Sequence, residues 1–238
     1  MTFAFYKRAL IGSALLLAVA LPASAASVIQ VSQESSAGAG DFDANILGNI
    51  NAFSHTGTTA DFYNYSNSEY NGHLKGGPAG VVGMAQTFFV DASDGLGMLM
   101  VFDSPSGGTP GNASTFFNLS GGDVASVVER DEGTEFSGAT NATSFSGSNS
   151  WTNGFTDGYA IRSFDGTWSL IGGFSAFGGS LANWRASSSG GGNIALNLEN
   201  NRRIRLQIAP AQPVPEPSTL LLLGSGLIGL VAVRRKRR

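Results

Sequence analysis

Between residues 26 and 209 the chain alternates short apolar runs with clusters of Gly, Ser, Asn and Asp. That spacing predicts strands. Gly pairs at 76–77, 107–108, 121–122, 172–173 and 178–179 argue against long helices, where Gly is costly. Val28 to Val31 predicts a first strand, and Phe42, Ile46, Leu47 and Ile50 suggest a helical turn or two. The polar, aromatic stretch from Phe53 to Pro78 reads as an irregular loop. Val81 to Val90 predicts a long strand broken at Gly83. Met98 to Phe102 is apolar on both faces, as a central strand should be. Further strands are predicted at 115–119 and 124–129, with Phe136 and Phe145 as the anchors of a Ser-rich stretch ending at Trp151.

In the last third, Tyr159 to Phe164 and Thr167 to Phe174 flank Asp165-Gly166, a strong hairpin signal. Ile194, Leu196 and Leu198 alternate, as do Ile204, Leu206 and Ile208. Asn200-Asn201 offers a turn between the two runs. The expected fold is all-β, an antiparallel jelly-roll-like β-sandwich of nine or ten strands.

Both ends depart from this pattern. Lys7 and Arg8 precede an apolar run from Ala9 to Leu21. Ala23-Ser24-Ala25 then supplies the small residues that a signal peptidase cuts behind, ahead of Ala26. At the other end, Pro215-Glu216-Pro217 is followed by an apolar run of 14 residues, Leu220 to Val233, and by Arg234, Arg235, Lys236, Arg237 and Arg238. As a helix that run spans roughly 21 Å, short of a hydrocarbon core of roughly 30 Å. The terminal cations mark a membrane stop on the cytoplasmic side. The expected organisation is a signal peptide over 1–25, a β-sandwich over 26–209, a Pro-rich linker over 210–217, and a hydrophobic segment with basic tail over 218–238.

The order of motif, apolar segment and basic cluster resembles the PEP-CTERM sorting signal of Gram-negative bacteria. The resemblance covers about 25 residues and implies processing by an exosortase-type membrane transpeptidase near the Pro-Glu-Pro motif. It also implies transient inner-membrane insertion, then the cell surface or extracellular matrix, with exopolysaccharide and biofilm as the setting. Phe164 to Leu170 is similar to the G-T-W-x-L strand of bacterial jelly-roll domains, a seven-residue likeness that bears only on fold.

Charge changes the picture once the ends are set aside. Residues 26–215 carry 7 cations against 16 acids, a net of −9. Such a surface repels nucleic acid and anionic lipid. There is no cysteine, which excludes thiol catalysis and Cys-ligated metals.

Candidate chemistry is sparse. Asp91, Asp94 and Asp103 are hard oxygen donors near strand ends and form a candidate Ca²⁺ site, the one cofactor to weigh. Their competing role is as turn acids. Asp41 to Asn45 opens like a calcium loop, but Ile46 and Ala52 stand where an EF-hand needs Gly and Glu. His55 and His73 are too few for a zinc site without carboxylates. Glu129, Asp131, Glu132 and Glu135 form an acidic cluster that suits a solvated hairpin end better than a glycosidase pair. Trp151 and Trp184 are candidates to stack on sugar, against core packing as the alternative; Trp151, flanked by polar residues, is expected to be the more exposed. Together these features predict a non-catalytic surface or matrix protein meeting extracellular polysaccharide. A calcium-assisted carbohydrate-binding module and a secreted hydrolase are the alternatives.

Overall fold

The computed structural model describes residues 26–130, 133–138 and 140–210. In chain order the strands are β1 (Val28–Gln33), β2 (Ile46–Asn51), β3 (Phe53–Ser54), β4 (Tyr65–Ser66), β5 (Glu69–Tyr70), β6 (Met84–Ala92), β7 (Gly95–Phe102) and β8 (Gly111–Ser120). They continue as β9 (Ser126–Arg130), β10 (Phe136–Ser137), β11 (Ser144–Trp151), β12 (Asp157–Phe164), β13 (Ser169–Gly179), β14 (Asn183–Ala186), β15 (Ile194–Leu196) and β16 (Ile204–Ile208). One short α-helix, α1 (Thr59–Tyr63), interrupts them.

Two sheets face each other. The first has the order β10-β11-β8-β13-β16-β1-β2 and is antiparallel throughout. The second has the order β15-β14-β6-β7-β12-β9. Its β14 and β3 run parallel to β6, so this sheet is mixed. The expected all-β class stands. Between the sheets, Phe102 stacks on Trp151 with ring centroids 5.4 Å apart, and Phe174 meets Trp184 edge-on at 4.9 Å. Burying a large apolar side chain contributes about 1.5–3 kcal/mol each, and without a disulfide this core carries the stability.

The segment after β3 is not an irregular loop. Thr58 caps α1: its hydroxyl accepts the Asp61 N–H at 3.1 Å, and the Asp61 carboxylate accepts the Thr58 N–H at 3.1 Å. The helix then lays Phe62 and Tyr63, with Tyr70 from β5, over Phe88, Val90, Leu99 and Val101. These aromatic residues form a second core that roofs the outer face of the mixed sheet. That roof is why β6 and β7 are apolar on both faces.

Three local expectations give way to longer-range packing. The expected helical turn is present as a 3-10 turn at Phe42–Ala44, but Ile46–Asn51 forms strand β2, since β1 offers it an unpaired edge. The Asp165-Gly166 turn does not close a hairpin: β12 lies in the mixed sheet and β13 in the other. Phe164 and Trp168, 4.9 Å apart across that corner, both reach Phe89. Burying both rings between the sheets sends the chain across instead of back. Likewise β15 pairs with β14, and β16 with β13 and β1, so the two alternating runs separate.

The antiparallel sheet has two unlike halves on its outer side. Around β1 and β16 the 34–45 segment folds over it, with Phe42 buried beneath the guanidinium groups of Arg203 and Arg205 at 5.8 and 5.4 Å. Glu34, fully buried, accepts from the Arg203 side chain and from the Arg203 and Gly40 N–H groups. Burial acts to raise its pKa. Those hydrogen bonds and the Arg203 charge outweigh burial and hold the carboxyl below its ordinary value. Its contribution to stability is therefore fully present above the unfolded-state pKa of about 4.3 and is lost as pH falls through the lower folded value. Glu34→Gln should lower the denaturation midpoint at pH 6 and flatten the loss between pH 5 and 2. An unchanged acid limb in that variant would remove Glu34 from the account.

Candidate functional site

Strand pairing brings the two ends of the described domain together. Ile29 pairs with Ile208, and the Ala209 N–H donates to the Val28 carbonyl at 2.8 Å. Both ends thus leave one end of the sandwich from neighbouring central strands. The same end holds the turns 93–94, 121–125 and 165–168. Beside the exit, Thr167, Trp168, Gln207, Ile208, Ala209 and Pro210 line a shallow pocket of about 360 Å³. Trp168 is buried and its Nε1–H has no acceptor.

From Ala209, the last residue tied to the sheet, to Pro215 is six residues. Fully extended they span about 20 Å. Pro215-Glu216-Pro217, the apolar segment and the five basic residues follow in order from that point. Residues 213–238 match the PEP-CTERM protein-sorting motif. No curated protein and no solved structure matches the chain. The PEP-CTERM motif marks an exported protein with a membrane-anchored sorting signal, targeted to exosortase, a membrane transpeptidase. Pro215, Glu216, Pro217 and Arg234 to Arg238 lie outside the described residues, as do Ala23 and Ala25; Ala26 is the first residue inside them. Among the described residues no helix is long and apolar enough to cross a membrane.

The carboxylates considered for calcium are spread apart and committed to their own chain. Asp91, on β6, accepts from both the N–H and the hydroxyl of Ser27, each at 2.7 Å. Asp94 accepts from the Thr59 N–H and hydroxyl at 2.8 and 3.0 Å and pairs with Arg162 at 3.4 Å. Asp103 lies just beyond the far end of β7, nine residues from Asp94, or about 30 Å along a strand. There it is fully buried, with φ 61°; its carboxylate accepts from the Gly83 N–H at 2.9 Å, Trp151 Nε1–H at 2.9 Å and the Ser180 hydroxyl at 3.2 Å. The three carboxylates therefore do not converge. Among the described residues no group of three or more His, Asp or Glu is placed to hold a metal ion.

The tryptophans considered for sugar contact are in the core. Trp151 is 3% exposed and Trp184 2% exposed, which leaves neither ring a face for ligand. The polar neighbours of Trp151 misled because they alternate outward on β11 while the indole points in. Trp184 donates its Nε1–H to the Thr87 hydroxyl at 2.9 Å. His55 and His73 both lie in the roof segment, beside the rings of Phe62 and Tyr70 respectively. Asp131 and Glu132 fall outside the described residues.

Sequence reasoning missed the uncovered half of the antiparallel sheet. On β11, Ser144, Ser146, Ser148 and Ser150 are exposed, with Phe145, Gly147, Asn149 and Trp151 facing the core. On the adjoining β8, Asn112, Asn118 and Ser120 are exposed, with Phe116 half-buried among them. Hydroxyls meet across strands: Ser137 and Ser146 lie 2.9 Å apart, and Ser144 donates to Asn118 Oδ1 at 3.2 Å. No charged residue stands on the outward positions of β8 or β11. The signal was there as strict S-x-S-x-S-x-S alternation.

Asp103→Ala would strand two buried donors, on Gly83 and Trp151, at a cost of about 3 kcal/mol. The denaturant midpoint should fall accordingly. Calcium or chelator should move the melting temperature of neither form; a calcium-dependent rise would show that the carboxylates are not committed as described.

Proposed function

We propose that this exported, exosortase-targeted chain is a non-catalytic surface or matrix protein whose β-sandwich, jelly-roll-like in character, associates with extracellular polysaccharide. The observation that carries the reading is the sorting tail, set about 20 Å or less beyond a folded, acidic domain. The signal peptidase, cutting ahead of Ala26, and the transpeptidase would be its processing partners.

The Ser/Asn face supports a neutral, polyhydroxylated partner. Ser is a poor strand former, so four in a row on outward positions give up strand propensity without any packing gain. Hydroxyl and amide groups at strand spacing offer many exchangeable hydrogen bonds, and half-exposed Phe116 offers an apolar spot for a sugar face. The remaining surface is acidic and would repel an anionic polymer.

Two measurements test the reading. Intact mass and fractionation from the native host should give a product from Ala26 to between Pro215 and Pro217, outside the inner membrane. A product still carrying Leu220 to Arg238 in the membrane would make this a plain anchored domain. In electrophoresis through gels containing host matrix polysaccharide or dextran, the mature protein should be retarded. Replacing Ser146 and Ser148 by Glu, exposed positions worth within about 0.5 kcal/mol of stability, should abolish the retardation. Retardation that survives the double change would move the contact to another face, and none in the wild type would sink the polysaccharide role.

A further inference from the structure

Ser27, just ahead of β1, is held from three directions. Its N–H and hydroxyl both donate to the Asp91 carboxylate at 2.7 Å, and its carbonyl accepts the Ala52 N–H at 2.8 Å. Asp91 belongs to β6 in the mixed sheet, and β1 to the antiparallel sheet. One carboxylate therefore clasps the start of the domain across the gap between sheets, at the end where the chain termini leave. Asp91 takes part in none of the ion pairs found among the described residues, which use Asp94, Glu199, Glu34 and Asp43. Among the described residues its carboxylate is met by the neutral donors of Ser27.

Ala26 stands one residue, about 3.8 Å between Cα atoms, ahead of Ser27. In the uncleaved chain its nitrogen is a neutral amide joined to Ala25. Hydrolysis adds water across that peptide bond, leaving a carboxylate on Ala25 and, after protonation, an ammonium on Ala26. We propose that Asp91 is the receptor for this new α-ammonium, so that removal of the signal peptide completes a clasp which locks β1 onto the folded sandwich. The inference rests on cleavage between Ala25 and Ala26. A hydrogen bond between an ammonium and a carboxylate is roughly twice as strong as one between neutral groups. It forms only after processing, so the chain is tightest once the N-terminal signal has gone. Other ionisable residues near this end are His55, whose backbone N–H donates to the Asp91 carbonyl, Asp61 with Lys75 on its carbonyl, Asp94 with its partner Arg162, Asp123 and Asp165.

The test compares the mature chain with a free N-terminus at Ala26 against the same chain N-acetylated. The free form should melt about 2–4 °C higher, the shift expected for a modest gain in a domain of this size. Asp91→Asn should erase the difference, whereas Asp94→Asn, which loosens α1, should keep it. Equal melting temperatures in the wild type, or a difference that persists in Asp91→Asn, would overturn the clasp. Should Asp91→Asn fail to fold, the ¹⁵N-labelled terminal amine of the wild type decides. Titration above the ordinary range of about 7.7–8.0 supports the clasp, and titration within that range overturns it. A native product that starts elsewhere than Ala26 would sink the cleavage position and the proposal with it. A start at Ala26 with equal melting temperatures would sink the clasp alone and leave the processing intact.

Discussion

Everything in this molecule hangs on the pairing of its first strand with its last. β1 and β16 run antiparallel from Ile29↔Ile208 to Gln33↔Ile204, in the middle of a sheet and not at its edge. The sheet cannot close until residue 208 is available. Such distant pairing must meet its loop-closure entropy before its contacts repay it, so the sandwich is expected to fold late and as a whole. For an exported chain this order is useful. The domain stays open until nearly all of it has been delivered, and the bond that ties Ala209 to β1 lies a few residues before the sorting tail.

The same pair is locked at both ends by carboxylates. At the far end Glu34, two residues from Ser32 on β1, gathers the Arg203 side chain next to the start of β16. At the exit end Asp91 holds Ser27. A buried carboxylate such as Glu34 is tolerable only where donors surround it, and both Glu34 and half-buried Asp91 are met by residues distant in sequence. Both acids therefore act as long-range staples in a chain that has no disulfide. Asp103 does similar work between the β7 end, Gly83 and Trp151.

What could be read from sequence follows from the range of the interactions involved. β7 was legible because an apolar run on both faces reports burial directly. β16 was legible because period-two alternation reports a one-sided face, and β1 because a short apolar run stood ahead of turn residues. The sorting tail was legible because its parts act in linear order. The Asp165-Gly166 corner was not, because a two-residue turn says nothing about which sheet each arm will join; the Phe164, Trp168 and Phe89 cluster decides that. α1 was hidden because five residues show no helical period, although Thr58 and Asp61 did carry the capping box. Asp91, Asp94 and Asp103 looked like ligands because their partners lie 20 to 77 residues away. Trp151 looked exposed because alternation on β11 was masked by a run of polar residues on both sides of it.

The placement of the ends also sorts the surfaces by what each can meet. β1, β16, β8 and β13 all run between the exit end and the far end, so a domain hanging from residue 210 presents these strands lengthwise, away from its point of attachment. The roof of α1 covers the mixed sheet, and the Phe42 flap covers one half of the antiparallel sheet. Among the described residues the Ser/Asn half-sheet stays open to solvent, along the flank of the domain. Net negative charge keeps the domain off anionic headgroups while leaving that uncharged face unopposed.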